Sequence, residues 1–185
     1  MMQLPQFKYH PDPIATQSIE PSENICACCN EARGYIYTGP AYAEEDLDDC
    51  LCPWCIADGK AHQKFDATFV DEQGIGDYGT WDEVPMAVIE EIAYCTPGFA
   101  GWQQERWWTH CGDGAEFLGP AGYPELQLFG EEALLYIKEM FSSETDIHGP
   151  ELEEHFQGFN REYGPTAYVF RCRHCRKLGG YWDSH

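Results

Sequence analysis

The chain is short of positive charge, of long apolar runs and of any catalytic signature, and each shortage removes a class of function. Eleven Lys and Arg face 32 Asp and Glu in 185 residues, a formal net charge of −21. Phosphate backbones repel such a polyanion, so no nucleic acid is expected as partner, although zinc modules often bind it. A macromolecular partner is expected to be a basic protein. The plain alternative is that the acid keeps an aromatic-rich chain soluble. No segment nears the roughly 18 apolar residues of a membrane span. Residues 1–10 lack a basic start followed by an apolar run, so neither a signal peptide nor membrane insertion is expected. His-Glu-x-x-His and deaminase-type signatures are missing. Gly74-Ile75-Gly76-Asp77 does not have the spacing of a phosphate loop. There is no low-complexity tract and no repeat beyond Cys-x-x-Cys.

What the chain does have is cysteine, ten of them. Without an export signal they point to a reducing compartment, here the cytoplasm, where thiols bind metal more often than they pair. Cys26-Ala27-Cys28-Cys29 and Cys52-Pro53-Trp54-Cys55 are two Cys-x-x-Cys pairs one hairpin apart, a spacing that brings four thiolates around one zinc ion. Cys28 and Cys50 are spare sulfurs that leave a Cys-x-Cys register open. A disulfide-exchange reading of Cys52-Pro53-Trp54-Cys55 needs a lowered thiol pKa. The acidic run Glu44, Glu45, Asp46, Asp48 and Asp49 just upstream argues against it.

A 43% hydrophobic, 15% aromatic composition is that of a folded globule. Residues 1–25 are proline-rich and irregular, with the aromatics of Phe7–Pro11 expected on the surface. A β-prone run over 33–38 ends at Gly39-Pro40, and a short helix is expected from Cys52 to His62. Turn, hairpin and helix-borne ligands make a treble-clef-like module of residues 1–65. After a loop over 66–83, Val84, Val88 and Ile92 mark an amphipathic helix stopped by Pro97-Gly98. Phe117-Leu118 and Leu126–Phe129 read as short strands. Helices follow at 131–141, burying Ala133, Leu134, Ile137 and Phe141, and from Pro150, with Leu152, Phe156 and Phe159 on one face. Thr166–Phe170 and Gly179–Trp182 are strands flanking a zinc knuckle. The fold class expected is α+β: a zinc module packed on a mixed α/β core over 66–185, or one continuous domain.

The knuckle Cys172-Arg173-His174-Cys175 supplies two ligands, and a structural zinc takes four. Cys111 and His110 are the best third and fourth, since both follow an ordered, tryptophan-rich segment; Cys95, His155 and His174 are alternatives, and two inert buried cysteines the plain reading. His110, Cys111 and Asp113 also put a base, a thiol and a carboxylate side by side. Triad members usually come from distant segments, and Trp102, Trp107 and Trp108 suit a core better than a substrate cage. An open zinc site near His110 and Cys111 is the enzymatic alternative.

With these residues laid out, the chain resembles the CbrC family of bacterial proteins, which is associated with colicin tolerance. The resemblance rests on Phe7-x-Tyr9-His10-Pro11-x-Pro13, Cys26-x-x-Cys29, Arg33–Pro40 and Cys52–Gly59. Pro97-Gly98-Phe99-x-Gly101-Trp102-Gln103-Gln104-Glu105 and the Cys172–Cys175 pair complete it. It implies a phenotype and no reaction, and it transfers no catalytic residue.

Overall fold

The structure, a computed structural model, describes residues 3–185; the first two positions of the expected arm lie outside it. The arm is extended, as its prolines dictate, but it is not laid on the surface. Phe7, Tyr9 and His10 are buried. A strand follows within the supposedly irregular segment: β1 (Ile19–Pro21) pairs antiparallel with β2 (Tyr35–Tyr37). Pro21 is tolerated because it ends an outer strand, where the missing N–H is not needed.

The single helix expected around Cys55 is two, α1 (Pro53–Ala57) and α2 (Lys60–Phe65). Gly59 breaks it with a φ of 70°, a left-handed conformation that favours glycine and ends helices. Residues 66–83 hold loops and 3-10 turns. Then α3 (Met86–Cys95) buries Ile92 and Ala93 and stops just before Pro97. β3 (Thr109–His110) and β4 (Asp113–Gly114) form a tight hairpin that leads into β5 (Glu116–Ala121).

Leu126–Phe129 is the end of a helix, α4 (Tyr123–Phe129), not a strand. The Gly122 N–H donates to the Glu125 carboxylate at 2.9 Å, one half of a capping box, and Pro124 suits a first helical turn. Leu126 is buried while Leu128 is 88% exposed, so the two leucines do not share a face. α5 (Glu131–Thr145) and α6 (Gly149–Gln157) follow. Phe159 lies beyond the end of α6 but is buried beside it.

β5, β6 (Thr166–Arg171) and β7 (Leu178–Asp183) form an antiparallel sheet with β6 in the middle. Both faces of β6 are covered, which explains why every residue of Thr166–Phe170 is buried and all but Thr166 are apolar or aromatic. Tyr168 and Phe170 join Tyr9, Phe99, Trp107 and Phe117 in an aromatic core. Ala167 and Val169 point the other way, into a cluster with Leu126, Ile137, Phe141 and Phe156 from the three helices. A third cluster, with Ile19, Tyr37, Leu51, Ile56 and Phe69, encloses the first cysteine group. The two-residue alternation of β6 runs past its end, so Cys172 shares the aromatic core with Tyr168 and Phe170. Among the described residues, no helix is long and apolar enough to cross a membrane.

Candidate metal centres

Cys26, Cys29, Cys52 and Cys55 come together, with every sulfur within 4.8 Å of the others. Backbone bonds build the site. Asn30, at φ 60°, reverses the chain: its N–H donates to the Cys26 carbonyl at 2.8 Å, and the Cys26 N–H donates to Glu31 O at 3.0 Å. The Ala27 N–H bonds the Cys50 carbonyl and the Tyr37 N–H that of Leu51, both at 2.8 Å. These bonds carry Cys52 up to the turn, where its own N–H points at Cys26 Sγ, 3.2 Å away. The Cys29 and Cys52 sulfurs are 3.9 Å apart; a tetrahedral zinc with bonds of about 2.3 Å separates its sulfurs by about 3.8 Å. Cys28 and Cys50 are not in the group.

The charges in this site conflict until a cation enters. The neighbouring Cys52 thiol holds Cys26 down at about 4, against burial. The same contact, with burial, pushes Cys52 well up, and burial above all raises Cys55. The causes are the crowded thiols and their burial, not the acidic run upstream. Metal binding takes thiolates and releases these protons.

The second group is His110, Cys111, Cys172 and Cys175, its donor atoms again within 4.8 Å of one another. The knuckle repeats the bonding of the first turn. The Cys172 N–H donates to Lys177 O at 2.8 Å and the Arg176 N–H to Cys172 O at 3.1 Å, with Arg176 at φ 66°. The other two donors sit on the β3–β4 hairpin. Its two-residue loop, Cys111-Gly112, has φ of 57° and 69°, the pattern of a type I′ turn, where asparagine or glycine is favoured at the first place. A non-glycine residue at positive φ is uncommon, and such outliers gather at functional sites; cysteine here is explained by what its sulfur faces. His110 Nδ1 lies 3.2 Å from Cys111 Sγ and 3.5 Å from Cys175 Sγ. Trp108 stacks on the imidazole, ring centroids 5.1 Å apart, and so fixes its orientation.

Cys172 is buried, whereas Cys111 and Cys175 are exposed. Burial pushes the Cys172 thiol up, but the N–H groups of Cys175 and His174 and the His110 side chain outweigh it, bringing it to about 6. Cys111 is pushed up to about 11 by lost hydration and by the thiols of Cys175 and Cys172. The alternative ligands lie elsewhere. Cys95 packs toward Gly59, His155 donates to Glu151 O on α6, and His174 turns to Asp113, Nε2 to Oδ2 3.0 Å. Both groups offer four soft or borderline donors at tetrahedral spacing with backbone amides directed at sulfur, and both fit zinc.

Asp113 is the residue whose role the sequence does not disclose. It is buried and accepts from the Tyr9 hydroxyl, the Arg173 guanidinium, both at 2.7 Å, and His174. Burial alone would raise its pKa, but Tyr9, His174, Lys8 and Arg173 together hold the carboxyl below the usual range. It ties the N-terminal arm, the hairpin and the knuckle into one corner. Its partners do not include His110, so His110, Cys111 and Asp113 form no triad.

A family model described as "Uncharacterised protein family (UPF0167)" matches residues 4–184. The chain belongs to this family. It is 46% identical over 172 residues to UPF0167 protein Mb2317 of Mycobacterium bovis, a match covering 93% of this chain and 89% of that one. It is 40% identical over 173 residues to UPF0167 protein PA1536 of Pseudomonas aeruginosa, covering 93% and 92%. No solved structure matches the chain. Neither relative's name states an activity; what distinguishes this UPF0167 chain chemically is its two donor groups.

Proposed function

We propose that this UPF0167 protein is a zinc-stabilised, cytoplasmic binding protein whose acidic surface docks a basic protein partner. Zinc is taken by Cys26, Cys29, Cys52 and Cys55 in a treble-clef-like module. A second zinc is taken by His110, Cys111, Cys172 and Cys175. Four donors at each centre leave no coordination position open, which supports holding over catalysis. Residues 1–65 and 66–185 act as one body, a reading supported by Tyr9 in the aromatic core and by the Gly98 N–H bonded to the Tyr37 hydroxyl at 3.1 Å.

One observation carries the docking surface. Glu44, Glu45, Asp46, Asp48 and Asp49 are exposed, while Leu47 in their midst is buried at 4% exposure. The loop is therefore pinned as a fixed acidic ridge, and none of its carboxylates joins an ion pair among the described residues. A fixed field of one sign speeds and orients the approach of an opposite one. The resemblance to the CbrC family supports a partner connected with colicin sensitivity, either a basic bacteriocin domain or a component of its uptake.

Pull-down from a bacterial lysate tests this, with a variant in which the five carboxylates become amides. A basic partner lost both in the variant and at high salt supports the reading; capture indifferent to both overturns it. Zinc counting on native protein accompanies it, two ions falling to one in Cys172→Ser.

The exposed Cys111 and Cys175, beside the Asp113–His174 pair, favour a second reading, a zinc enzyme in which one of these two thiolates gives up its coordination position to water. X-ray absorption at the metal separates the two. Only sulfur and imidazole ligands exclude the enzyme, and a water-derived oxygen supports it.

A further inference from the structure

We propose that Cys111 and Cys175 form an oxidation site for peroxide, at which a disulfide replaces the second zinc while the first stays bound. The proposal rests on zinc at the second centre and goes on to what can reach it. The two donor groups match in spacing but not in exposure. Cys26, Cys52 and Cys55 are at most 1% exposed and Cys29 is half-buried. In the second group only Cys172 is buried among the cysteines, while Cys111 and Cys175 are exposed. An oxidant in solution therefore meets two sulfurs of one centre and is kept from most of the other.

The two exposed sulfurs are also neighbours, within 4.8 Å of each other; a disulfide brings such a pair to about 2.05 Å. Cys111 sits on the tip of the β3–β4 hairpin, where Gly112 is exposed and a Cβ added to it would meet nothing within 4 Å, so the tip has room to adjust. Charge singles out the same corner. Arg171, Arg173, Arg176 and Lys177 bring four of the chain's 11 Lys and Arg to the knuckle, and two carboxylates, Glu116 and Asp113, pair with three of them. Accessible thiolates in electropositive surroundings, with a second thiol beside them, are the ones that oxidise. The first centre has no such setting: the acidic run Glu44–Asp49 precedes its second pair of cysteines.

Cysteines bind zinc as thiolates, so Cys111 and Cys175 are both held in the nucleophilic form. The Cys111 sulfur attacks one oxygen of hydrogen peroxide: an S–O bond forms, the O–O bond breaks, and the other oxygen leaves as hydroxide. The sulfur, oxidised by two electrons, is now a sulfenic acid. The Cys175 thiolate attacks that sulfur: an S–S bond forms, the S–O bond breaks, and a second hydroxide leaves. Solvent protonates both, so one peroxide has become two waters and two thiolates one disulfide. His110 and Cys172 remain, two donors where a structural zinc takes four. Asp113 still accepts from Tyr9, Arg173 and His174, so hairpin and knuckle stay joined, and a thiol reductant restores the site.

The test treats full-length, zinc-loaded protein with hydrogen peroxide beside a chromophoric zinc indicator, then alkylates and digests it. One zinc of the two should be released, the chain mass should fall by two hydrogens, and the linked peptides should carry Cys111 and Cys175. Dithiothreitol with added zinc should reverse all three changes. Cys111→His removes the sulfur but keeps a zinc donor, on a residue that tolerates positive φ. It should hold both ions and lose neither at the dose that frees one from wild type. Cys175→His makes the same exchange in the knuckle and keeps the test valid if the first variant does not fold. Both zincs released together, a link that omits Cys111 or Cys175, or release from a folded variant as fast as from wild type overturns the proposal. A single zinc before any oxidant is added overturns the metal reading itself, and this site with it.

Discussion

Cys111→Asn separates ligation from folding at the second metal group. Cys111 occupies the first place of a two-residue turn with φ of 57° and 69°, and Asn-Gly is the pair such turns favour most. The left-handed region costs an ordinary residue roughly 1–2 kcal/mol, and asparagine recovers part of this. The metal-free variant should therefore match metal-free wild type or exceed it by about 0.5–1 kcal/mol. The metal-bound form should suffer, because one thiolate in four is gone. A structural zinc contributes on the order of 10–16 kcal/mol, so one ligand accounts for roughly 3 kcal/mol, or about 100-fold in affinity. Competition with a chromophoric chelator should strip one zinc from the variant and leave the other in place. Thermal unfolding in excess chelator should show equal or higher Tm for the variant. Two zincs held at wild-type affinity would refute the ligand assignment, and an earlier-melting metal-free variant would refute the turn argument.

Two further outcomes are expected. His10 is fully buried between the Pro97 carbonyl, to which Nδ1–H donates at 2.7 Å, and Thr16, and burial lowers its pKa from 6.5 to about 4. The unfolded chain takes up its proton first, so this stability is whole above pH 6.5 and is lost as pH falls toward 4, by about 3 kcal/mol. His10→Gln should flatten the fall of Tm across that window, and parallel curves for variant and wild type would sink the assignment. Tyr37 donates to Pro40 O at 2.7 Å and accepts from the Gly98 N–H at 3.1 Å. Tyr37→Phe strands that buried amide and should lower urea stability by roughly 1–3 kcal/mol; an unchanged midpoint counts against the contact.

The first donor group is legible in the sequence because Cys26, Cys29, Cys52 and Cys55 lie in one short stretch, where spacing constrains geometry. The second is legible by half. Cys172-x-x-Cys175 announces a knuckle, but what sets it against His110 and Cys111 is the register of β6 and the turn of the β3–β4 hairpin, and neither can be read from spacing. β6 itself is plain, since burial on both faces leaves Ala167–Phe170 all apolar or aromatic. α4 is hidden because Leu126-Gln127-Leu128 imitates strand alternation over a segment too short to show a helical period, and only Glu125 reaching back to Gly122 betrays the cap. The burial of Tyr9 is equally hidden, because its partner Asp113 is remote in the chain and chosen by the fold.

The two Cys-x-x-Cys turns share one backbone design but differ in when they can be finished. The first has all its donors once the chain reaches Cys55, whereas the second waits for Cys175, near the last residue. The gap from Cys111 to Cys172 costs about 1 kcal/mol more to close than the gap from Cys29 to Cys52. A ribosome therefore presents the two donor groups one after the other, with the N-terminal one complete while β6 and β7 are still unmade. A chain that stalls or is clipped after β6 keeps the first centre and loses the second.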